Sequence, residues 1–157
     1  MRTILRSLFV LFLLAGLTAL GAQTTLAYDT DPEPIRVVIE PDGNQMLFAQ
    51  DEFTAKAGQE ITLVFKNTAT SPAMVHNVVI LNDNDDATIN RVGQAALTAS
   101  DNEYVPEDDA IIGATALAKP GETVEVTFTA PSEPGKYSYV CTFPGHYSMM
   151  RGTLTIQ

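Results

Sequence analysis

The sequence has few of the side chains that most often build structural sites: one cysteine, Cys141, and two histidines, His76 and His146, in 157 residues. A single cysteine excludes an internal disulfide. It also leaves only three Cys and His side chains, whereas a structural zinc site takes four. The fold must therefore be stabilised by its hydrophobic core, which a domain of this length can build.

Basic side chains are also scarce, since 9 Lys and Arg face 19 Asp and Glu and the formal net charge is −10. Arg2 and Arg6 lie in a predicted leader, whose removal leaves 7 basic and 19 acidic residues and a net charge of −12. Nucleic-acid binding depends on basic patches that meet phosphates, so a nucleic-acid partner is excluded. We expect the negative charge to favour solubility, with steering toward a basic partner as the alternative.

The apolar run near the start is short for a membrane span. It covers residues 8–22, whereas a spanning helix needs about 20 apolar residues. It follows Arg2 and Arg6 and precedes Thr25-Leu26-Ala27, the layout of a cleaved secretory signal. We predict a signal peptide over 1–27, with an uncleaved anchor as the alternative, a polar leader or tether over 28–34, and a folded domain over 35–157. The protein is then exported to the periplasm or another extracytoplasmic compartment, and a membrane is a partner only if the N-terminal segment is retained.

Short segments of alternating apolar and polar residues dominate the predicted domain, and turn residues such as Lys119-Pro120-Gly121 separate them. This pattern indicates an all-β fold, an antiparallel sandwich or barrel. The predicted strands are 35–39, 61–66, 123–129, 137–141 and 153–156. Residues 86–99 depart from the pattern, because their apolar side chains recur at helical spacing, and they predict one short helix in a crossover between strands.

The segment from Cys141 to Met150 brings three metal-binding side-chain types within ten residues. Cys141 closes a predicted strand, and Pro144-Gly145 predicts a turn that returns His146 to its side. Met150 lies four residues beyond His146, near the start of the last strand. Thiolate, imidazole and thioether ligands suit copper in both of its oxidation states.

A mononuclear blue-copper site uses two histidines and one cysteine in a near-trigonal plane, with a weak axial methionine. His76 is the other histidine, and it reaches this plane if the apolar stretch 78–81 pairs beside the strand that ends at Cys141. Copper centres with three histidines or two bridging cysteines cannot be built from these residues. A Cys–His hydrolase, with Cys141 as nucleophile and His146 as base, is the alternative. The aromatic strand around Cys141 favours a buried thiol instead, and Met150 has no role in such a hydrolase.

The loop Cys141-Thr-Phe-Pro-Gly-His146, followed by Met150 and Gly152-Thr-Leu, resembles the loop of the cupredoxins, most closely the azurins and auracyanins. The resemblance extends over residues 35–157 and includes the Met-x-His-Asn element at 74–77. It implies a Greek-key β-sandwich that binds one type 1 copper ion. It further implies that His76, Cys141 and His146 are equatorial ligands, and that Met150 rather than Met149 is the axial ligand.

The resemblance also implies roles for neighbouring residues. Asn77 would tie the two ligand-bearing segments together, and the backbone N–H groups of Asn77 and Phe143 would donate hydrogen bonds to the Cys141 sulfur and raise the reduction potential. Two features depart from azurins. They have glycine where this chain has Val75, which leaves a weak contact between the Val75 carbonyl and copper as an open alternative, and they carry a disulfide that this chain cannot form.

The function implied is non-enzymatic: the protein shuttles one electron, Cu(II)/Cu(I), between transient redox partner proteins of the cytochrome, reaction-centre or oxidase class. The edge of His146 is the expected electron port, because it lies in the loop. Apolar residues around it are expected to form a docking patch for the partner, namely Ala73, Met74, Phe143, Pro144 and Tyr147. The alternatives are a copper carrier or storage protein of the same fold, and a tethered subunit of a respiratory or photosynthetic complex.

Overall fold

The computed structural model describes residues 31–157, so the predicted signal peptide and residues 28–30 lie outside the described part. Within 31–157, no helix is both long and apolar enough to cross a membrane. The regular elements of this part are β1 (Ile35–Ile39), β2 (Glu52–Ala55), β3 (Glu60–Lys66), β4 (Val79–Leu81), α1 (Asp86–Ala96), a 3-10 helix (Ser100–Asn102), β5 (Ile111–Ala114), β6 (Thr123–Thr129), β7 (Gly135–Val140) and β8 (Arg151–Ile156).

The strands form two sheets, one of three strands in the order β1-β3-β6 and one of five in the order β2-β8-β7-β4-β5. This arrangement confirms the predicted all-β fold with one short helix. The pairing is mostly antiparallel, as the pattern indicated, but β1 pairs with β3 and β2 pairs with β8 in parallel. Between β1 and β3 the chain crosses to the other sheet and forms β2 there. It then returns to the first sheet, where β3 runs in the same direction as β1. The strands β2 and β5 were not predicted.

The main core lies between the two sheets. Ile61, Leu63 and Phe65 are alternate residues of β3, and all three are fully buried in this core. Ile80 of β4 and Tyr139 of β7 meet them from the other sheet. Full burial of an aliphatic or aromatic side chain of this size contributes about 1.5–3 kcal/mol to the stability of the folded state. The core can therefore stabilise the fold without a disulfide.

Strand β4 and the last three residues of β7 are buried on both faces. Ile80 and Tyr139 belong to the main core, whereas Val79 and Val140 belong to a second cluster under α1. Strands covered on both faces consist of continuous apolar residues rather than alternating ones. Cys141 follows Val140 and therefore turns back toward the main core, where it is fully buried.

Helix α1 begins after the N-cap residue Asp85, whose carboxylate accepts a hydrogen bond from the Ala87 N–H at 3.0 Å. The helix ends at Ala96, not at residue 99 as predicted. The N–H groups of residues 97–99 bond to carbonyls three residues back, which is the 3-10 pattern of a helix terminus.

The close approach of α1 to the β7–β8 connection depends on Gly93. A Cβ atom at this position would lie 2.2 Å from Cγ of the Tyr147 ring. Gly93 is buried, and the Tyr147 ring occupies the space that any other side chain at this position would need.

Residues 31–34 of the predicted leader have no regular structure but are attached to the domain. The Gln59 side chain donates a hydrogen bond to the Glu33 carbonyl at 2.6 Å. This contact fixes the chain just before β1.

Candidate metal centre

The connection between β7 and β8 carries three of the four predicted ligands. The Cys141 N–H donates to the Met150 carbonyl at 2.9 Å, which closes the loop. Inside it, the His146 N–H donates to the Phe143 carbonyl at 3.0 Å and the Met150 N–H donates to the His146 carbonyl at 2.8 Å. Gly145 has a φ of 84°, a left-handed backbone that glycine adopts without steric cost. This tight loop returns His146 to the side of Cys141.

His76 comes from another part of the chain and is held by backbone and side-chain hydrogen bonds. It exchanges backbone hydrogen bonds with Ala118 at 3.2 and 2.8 Å. The buried Asn67 side chain donates to the carbonyls of Met74 and Ala118, at 2.7 and 2.8 Å. Strand β4 follows His76 and pairs with β7, which is the pairing that the sequence argument required. His76 therefore lies beside the strand that leads to Cys141.

The donor atoms of His76, Cys141 and His146 converge. The two Nδ1 atoms lie 3.1 Å apart, and the Cys141 Sγ lies 3.7 Å from Nδ1 of His76 and 3.6 Å from Nδ1 of His146. A point equidistant from the three atoms is about 2.0 Å from each, close to the bond lengths of about 2.0–2.3 Å that histidine and cysteine form with a metal ion. Among the described residues, these three form the group that could hold a metal ion.

The two adjacent methionines differ in burial. Met150 is fully buried in the core cluster that contains Cys141, whereas Met149 is 56% exposed. Burial therefore favours Met150 as the thioether of the site. The Val75 N–H donates to the Ala73 carbonyl at 3.1 Å, and a contact of the Val75 carbonyl with copper stays a prediction.

Burial changes the protonation of the three converging groups. Burial, together with the nearby His146, lowers the pKa of His76 to about 4, and burial also lowers the pKa of His146. Both imidazoles are therefore neutral near pH 7 and able to bind a metal ion. Burial raises the pKa of Cys141 to about 12, although hydrogen bonds from the backbone N–H groups of Asn77 and Phe143 oppose this rise. A metal ion must displace the thiol proton, because the thiolate is the ligand.

Asn77 connects the segment of His76 to the segment of Cys141. Its side-chain oxygen accepts a hydrogen bond from the Thr142 N–H at 2.8 Å, and its side-chain nitrogen donates to the Thr142 hydroxyl at 2.9 Å. The same nitrogen donates to the Glu103 carbonyl at 3.2 Å. Asn77 thus contributes both a backbone donor to the sulfur and a side-chain link between the two segments.

The two histidines differ in their access to solvent. The Nε2 atom of His76 is buried and has no hydrogen-bond partner within residues 31–157. His146 is 5% exposed, and its Nε2 is not among the fully buried unpartnered atoms. The Phe143 ring covers part of His146, with ring centroids 5.0 Å apart. The ring edge of His146 is therefore the part of the site nearest to solvent.

The residues predicted to form a docking patch are unequally exposed. Ala73 is exposed, and the other four are half-buried. The Tyr147 ring also packs against Gly93 of α1, so it contributes to the packing of the helix. The half-buried residues are Met74, Phe143, Pro144 and Tyr147.

No motif in the sequence indicated Asn67 or Glu103, which both bond to the segments that hold the site. Asparagine after a strand is common in turns, so its identity gave no indication that Asn67 is buried. Glu103 lies in the loop 100–109, where no motif was recognisable. Their partners are distant in sequence, which is why only the fold reveals them.

The donor set fits copper. It combines a thiolate, two neutral imidazoles and a buried thioether, and the converging group contains no carboxylate. The hydrolase alternative is disfavoured, because a nucleophilic cysteine needs a lowered pKa and an accessible thiolate, whereas Cys141 is buried and its pKa is raised.

Comparisons with known proteins identify the family. The model of the copper-binding proteins of the plastocyanin/azurin family matches residues 35–157. Auracyanin-A of Chloroflexus aurantiacus is 39% identical over 125 residues, which are 78% of this chain and 75% of that protein. Azurin of Alcaligenes faecalis is 33% identical over 125 residues, which are 76% of this chain and 96% of that protein. The solved structure of auracyanin A, a "blue" copper protein from Chloroflexus aurantiacus, matches with a TM-score of 0.73 at 39% identity and covers 79% of this chain and 99% of its own. The chain therefore belongs to the plastocyanin/azurin family of copper-binding proteins.

Proposed function

We propose that this protein carries single electrons between partner proteins outside the cytoplasm, through one copper ion bound by His76, Cys141 and His146 in a plane and by Met150 axially. Its family makes it a copper-binding, blue-copper electron-transfer protein. The ligand set, the partners and the compartment are the proposal. The observation that supports it most directly is the convergence of three donor atoms from two distant segments.

Copper, when bound, supplies a centre that gains and loses one electron between Cu(II) and Cu(I). The protein's task is to hold the donor atoms in one arrangement. Cys141, His76 and Met150 are fully buried, and the closed loop and the sheet pairing fix their positions. Such a rigid set changes little between oxidation states. Four protein ligands also leave no open position for a substrate, which favours a carrier over an enzyme.

The electron port in this proposal is the edge of His146. The apolar side chains of Ala73, Met74, Phe143 and Pro144, with the exposed part of Tyr147, would contact the partner around it. Apolar surface of this kind suits a transient interface, in which partners must separate after transfer.

A copper titration tests the ligand plane. We expect Cu(II) to produce an intense visible thiolate-to-copper band in the purified protein, with the matching EPR spectrum. Cys141→Ser should lose this band, because the hydroxyl cannot replace the thiolate as a charge-transfer donor. A colourless Cu(II) protein, or a band that survives in Cys141→Ser, would contradict the assignment.

The adjacent methionines provide a matched pair for the axial ligand. Met150→Leu should change the reduction potential and the EPR spectrum, because it removes the thioether from the site. Met149→Leu, at an exposed position, should leave both unchanged. The reverse result would transfer the axial role to Met149.

Charge substitution tests the docking patch. Met74→Glu should slow electron transfer to the physiological partner, or to a cytochrome used as a probe, with the potential unchanged. Val38→Glu is the matched control, because Val38 is 48% exposed on the three-stranded sheet. Equal bimolecular rates for the two variants would remove the patch from the proposal.

The alternative of a copper carrier or storage protein predicts rapid copper exchange and slow electron self-exchange. The burial of all four side chains favours slow exchange of the metal, which is the opposite of what a carrier needs. Measuring the copper off-rate and the self-exchange rate separates the two. N-terminal sequencing of the mature protein tests cleavage after Ala27, and retention of residues 1–27 would favour a tethered form.

A further inference from the structure

Two residues in the loop after the 3-10 helix have an unusual backbone. Glu103 and Tyr104 have φ values of 54° and 61°, which place two consecutive non-glycine residues in the left-handed region. Side chains with a Cβ atom avoid this region, because the Cβ crowds the following carbonyl. Such a conformation persists only where surrounding contacts stabilise it, and those contacts often lie at functional sites.

The contacts of Glu103 lead to the segments around His76. Its carbonyl accepts a hydrogen bond from the Asn77 side chain at 3.2 Å. Its carboxylate accepts one from the Leu117 N–H at 2.9 Å. Leu117 precedes Ala118, which exchanges backbone hydrogen bonds with His76. Glu103 therefore links the residue after His76 to the segment whose Ala118 forms an isolated bridge with His76.

The contacts of Tyr104 lead to the Cys141 loop. Its ring meets the Phe143 ring edge-on, with centroids 5.3 Å apart and planes at 75°. Phe143 in turn packs on His146, with centroids 5.0 Å apart. The Tyr104 N–H is fixed by the Ala99 carbonyl at 2.9 Å, so the ring projects from an anchored backbone.

The contacts of Glu103 and of Tyr104 both lead to the residues around the Cys141 sulfur. Asn77 and Phe143 are the residues whose backbone N–H groups donate hydrogen bonds to the Cys141 sulfur. Glu103 holds the first of these residues, and Tyr104 packs against the second. Neither Glu103 nor Tyr104 is itself among the converging donor groups.

We propose that the left-handed Glu103–Tyr104 turn is a positioning element that keeps both N–H donors directed at the Cys141 sulfur and thereby sets the reduction potential of the copper centre. The inference rests on the proposed ligand set. Hydrogen bonds to the sulfur withdraw electron density from the thiolate and favour Cu(I). Removing the side-chain contacts that the turn makes with these segments should therefore lower the reduction potential without removing a ligand.

Glycine substitutions separate this role from folding. Tyr104→Gly removes the ring but adopts the left-handed backbone freely, so it should not destabilise the turn itself. Tyr104→Phe is the matched control, because the Tyr104 hydroxyl has no hydrogen bond to the described residues and the ring is retained. For Glu103, the pair is Glu103→Gly and Glu103→Gln. Glu103→Gly keeps the carbonyl that accepts from Asn77 but removes the carboxylate that holds Leu117 beside Ala118, the residue bonded to His76. Glu103→Gln has an amide oxygen that can still accept from Leu117.

We expect each glycine variant to lower the equilibrium constant for copper reduction about threefold, which is about 28 mV for a one-electron couple. Voltammetry of the copper-loaded protein measures this shift. In the Cu(I) state, amide exchange of Asn77 and Phe143, followed by NMR, should become faster. Tyr104→Phe and Glu103→Gln should match the unmodified protein in both measurements.

Potentials and amide exchange that are unchanged in both glycine variants would overturn the inference, and the turn would then be structural only. If Tyr104→Gly fails to fold, Tyr104→Asn provides the same test, because asparagine also tolerates the left-handed region. Absence of the thiolate-to-copper band in the unmodified protein would instead refute the proposed ligand set. The two failures are therefore distinguishable.

Discussion

Replacement of Gly93 by alanine should destabilise the domain, although alanine is the better helix former. The added Cβ would lie 2.2–2.4 Å from three ring carbons of Tyr147, well inside van der Waals contact. Overpacking of this kind costs about 1–3 kcal/mol. The gain from replacing a helical glycine with alanine is about 0.5–1 kcal/mol. At the midpoints of these ranges the clash is the larger effect, so the free energy of unfolding should fall by about 1 kcal/mol, and by no more than about 2.5 kcal/mol.

Urea unfolding of the metal-free protein, followed by circular dichroism, measures this change. In a thermal melt, at about 4 °C per kcal/mol for a domain of this size, the melting temperature should fall by about 4 °C. Gly135→Ala is the control, and it should not show this loss. A Cβ there would be 3.7 Å from its nearest neighbour, the Tyr137 ring, which is an ordinary van der Waals contact.

A double-mutant cycle identifies the cause. In a Tyr147→Ala background the ring is absent, so Gly93→Ala should stabilise the protein by about 0.5–1 kcal/mol. If Gly93→Ala changes the free energy of unfolding equally with and without the Tyr147 ring, the clash between the added Cβ and this ring is not the cause of the change.

Three further predictions concern stability and metal binding. Tyr139→Phe removes a buried hydroxyl that donates to the Gln50 carbonyl at 2.6 Å, and should lower the free energy of unfolding in urea by about 1–1.5 kcal/mol; an unchanged value would mean that water replaces the bond at no cost. Asp85→Ala removes the cap on the Ala87 N–H and should cost about 1 kcal/mol by thermal unfolding; no loss would indicate another acceptor. The Cys141 thiol, whose pKa is raised to about 12, stays protonated below that pH in the metal-free protein, so copper binding should release one proton and copper affinity should rise about tenfold per pH unit between about pH 7 and 10. Calorimetry in buffers of different ionisation enthalpy checks the release, and a pH-independent affinity would show that the thiolate is already formed.

The proximity of the side chains in the proposed ligand loop was predictable, because these residues are close in sequence. Cys141, His146 and Met150 lie within ten residues, and Pro144-Gly145 indicates the turn that connects them. His76 could be added only because the chain offers a single other histidine. Its actual position depends on the pairing of β4 with β7.

The features that sequence could not predict depend on partners far along the chain. Alternation along β3 showed which residues face the core, but it carries no information on whether β1 runs parallel or antiparallel beside it. The burial of Asn67 follows from its bonds to the carbonyls of Met74 and Ala118. The end of α1 at Ala96 is set by short-range 3-10 bonds, which the spacing of apolar side chains does not reveal.

The origin of the ligands in two segments also has a consequence for how the chain folds. His76 and Cys141 are separated by 65 residues, so the loop closure entropy of bringing them together must be overcome before the ligand plane exists. The segment from Cys141 to Met150 closes a loop of only ten residues, so its three side chains come together at a smaller entropy cost than His76 and Cys141 do. A metal ion held first by that segment would give the folding chain a preformed partner for His76.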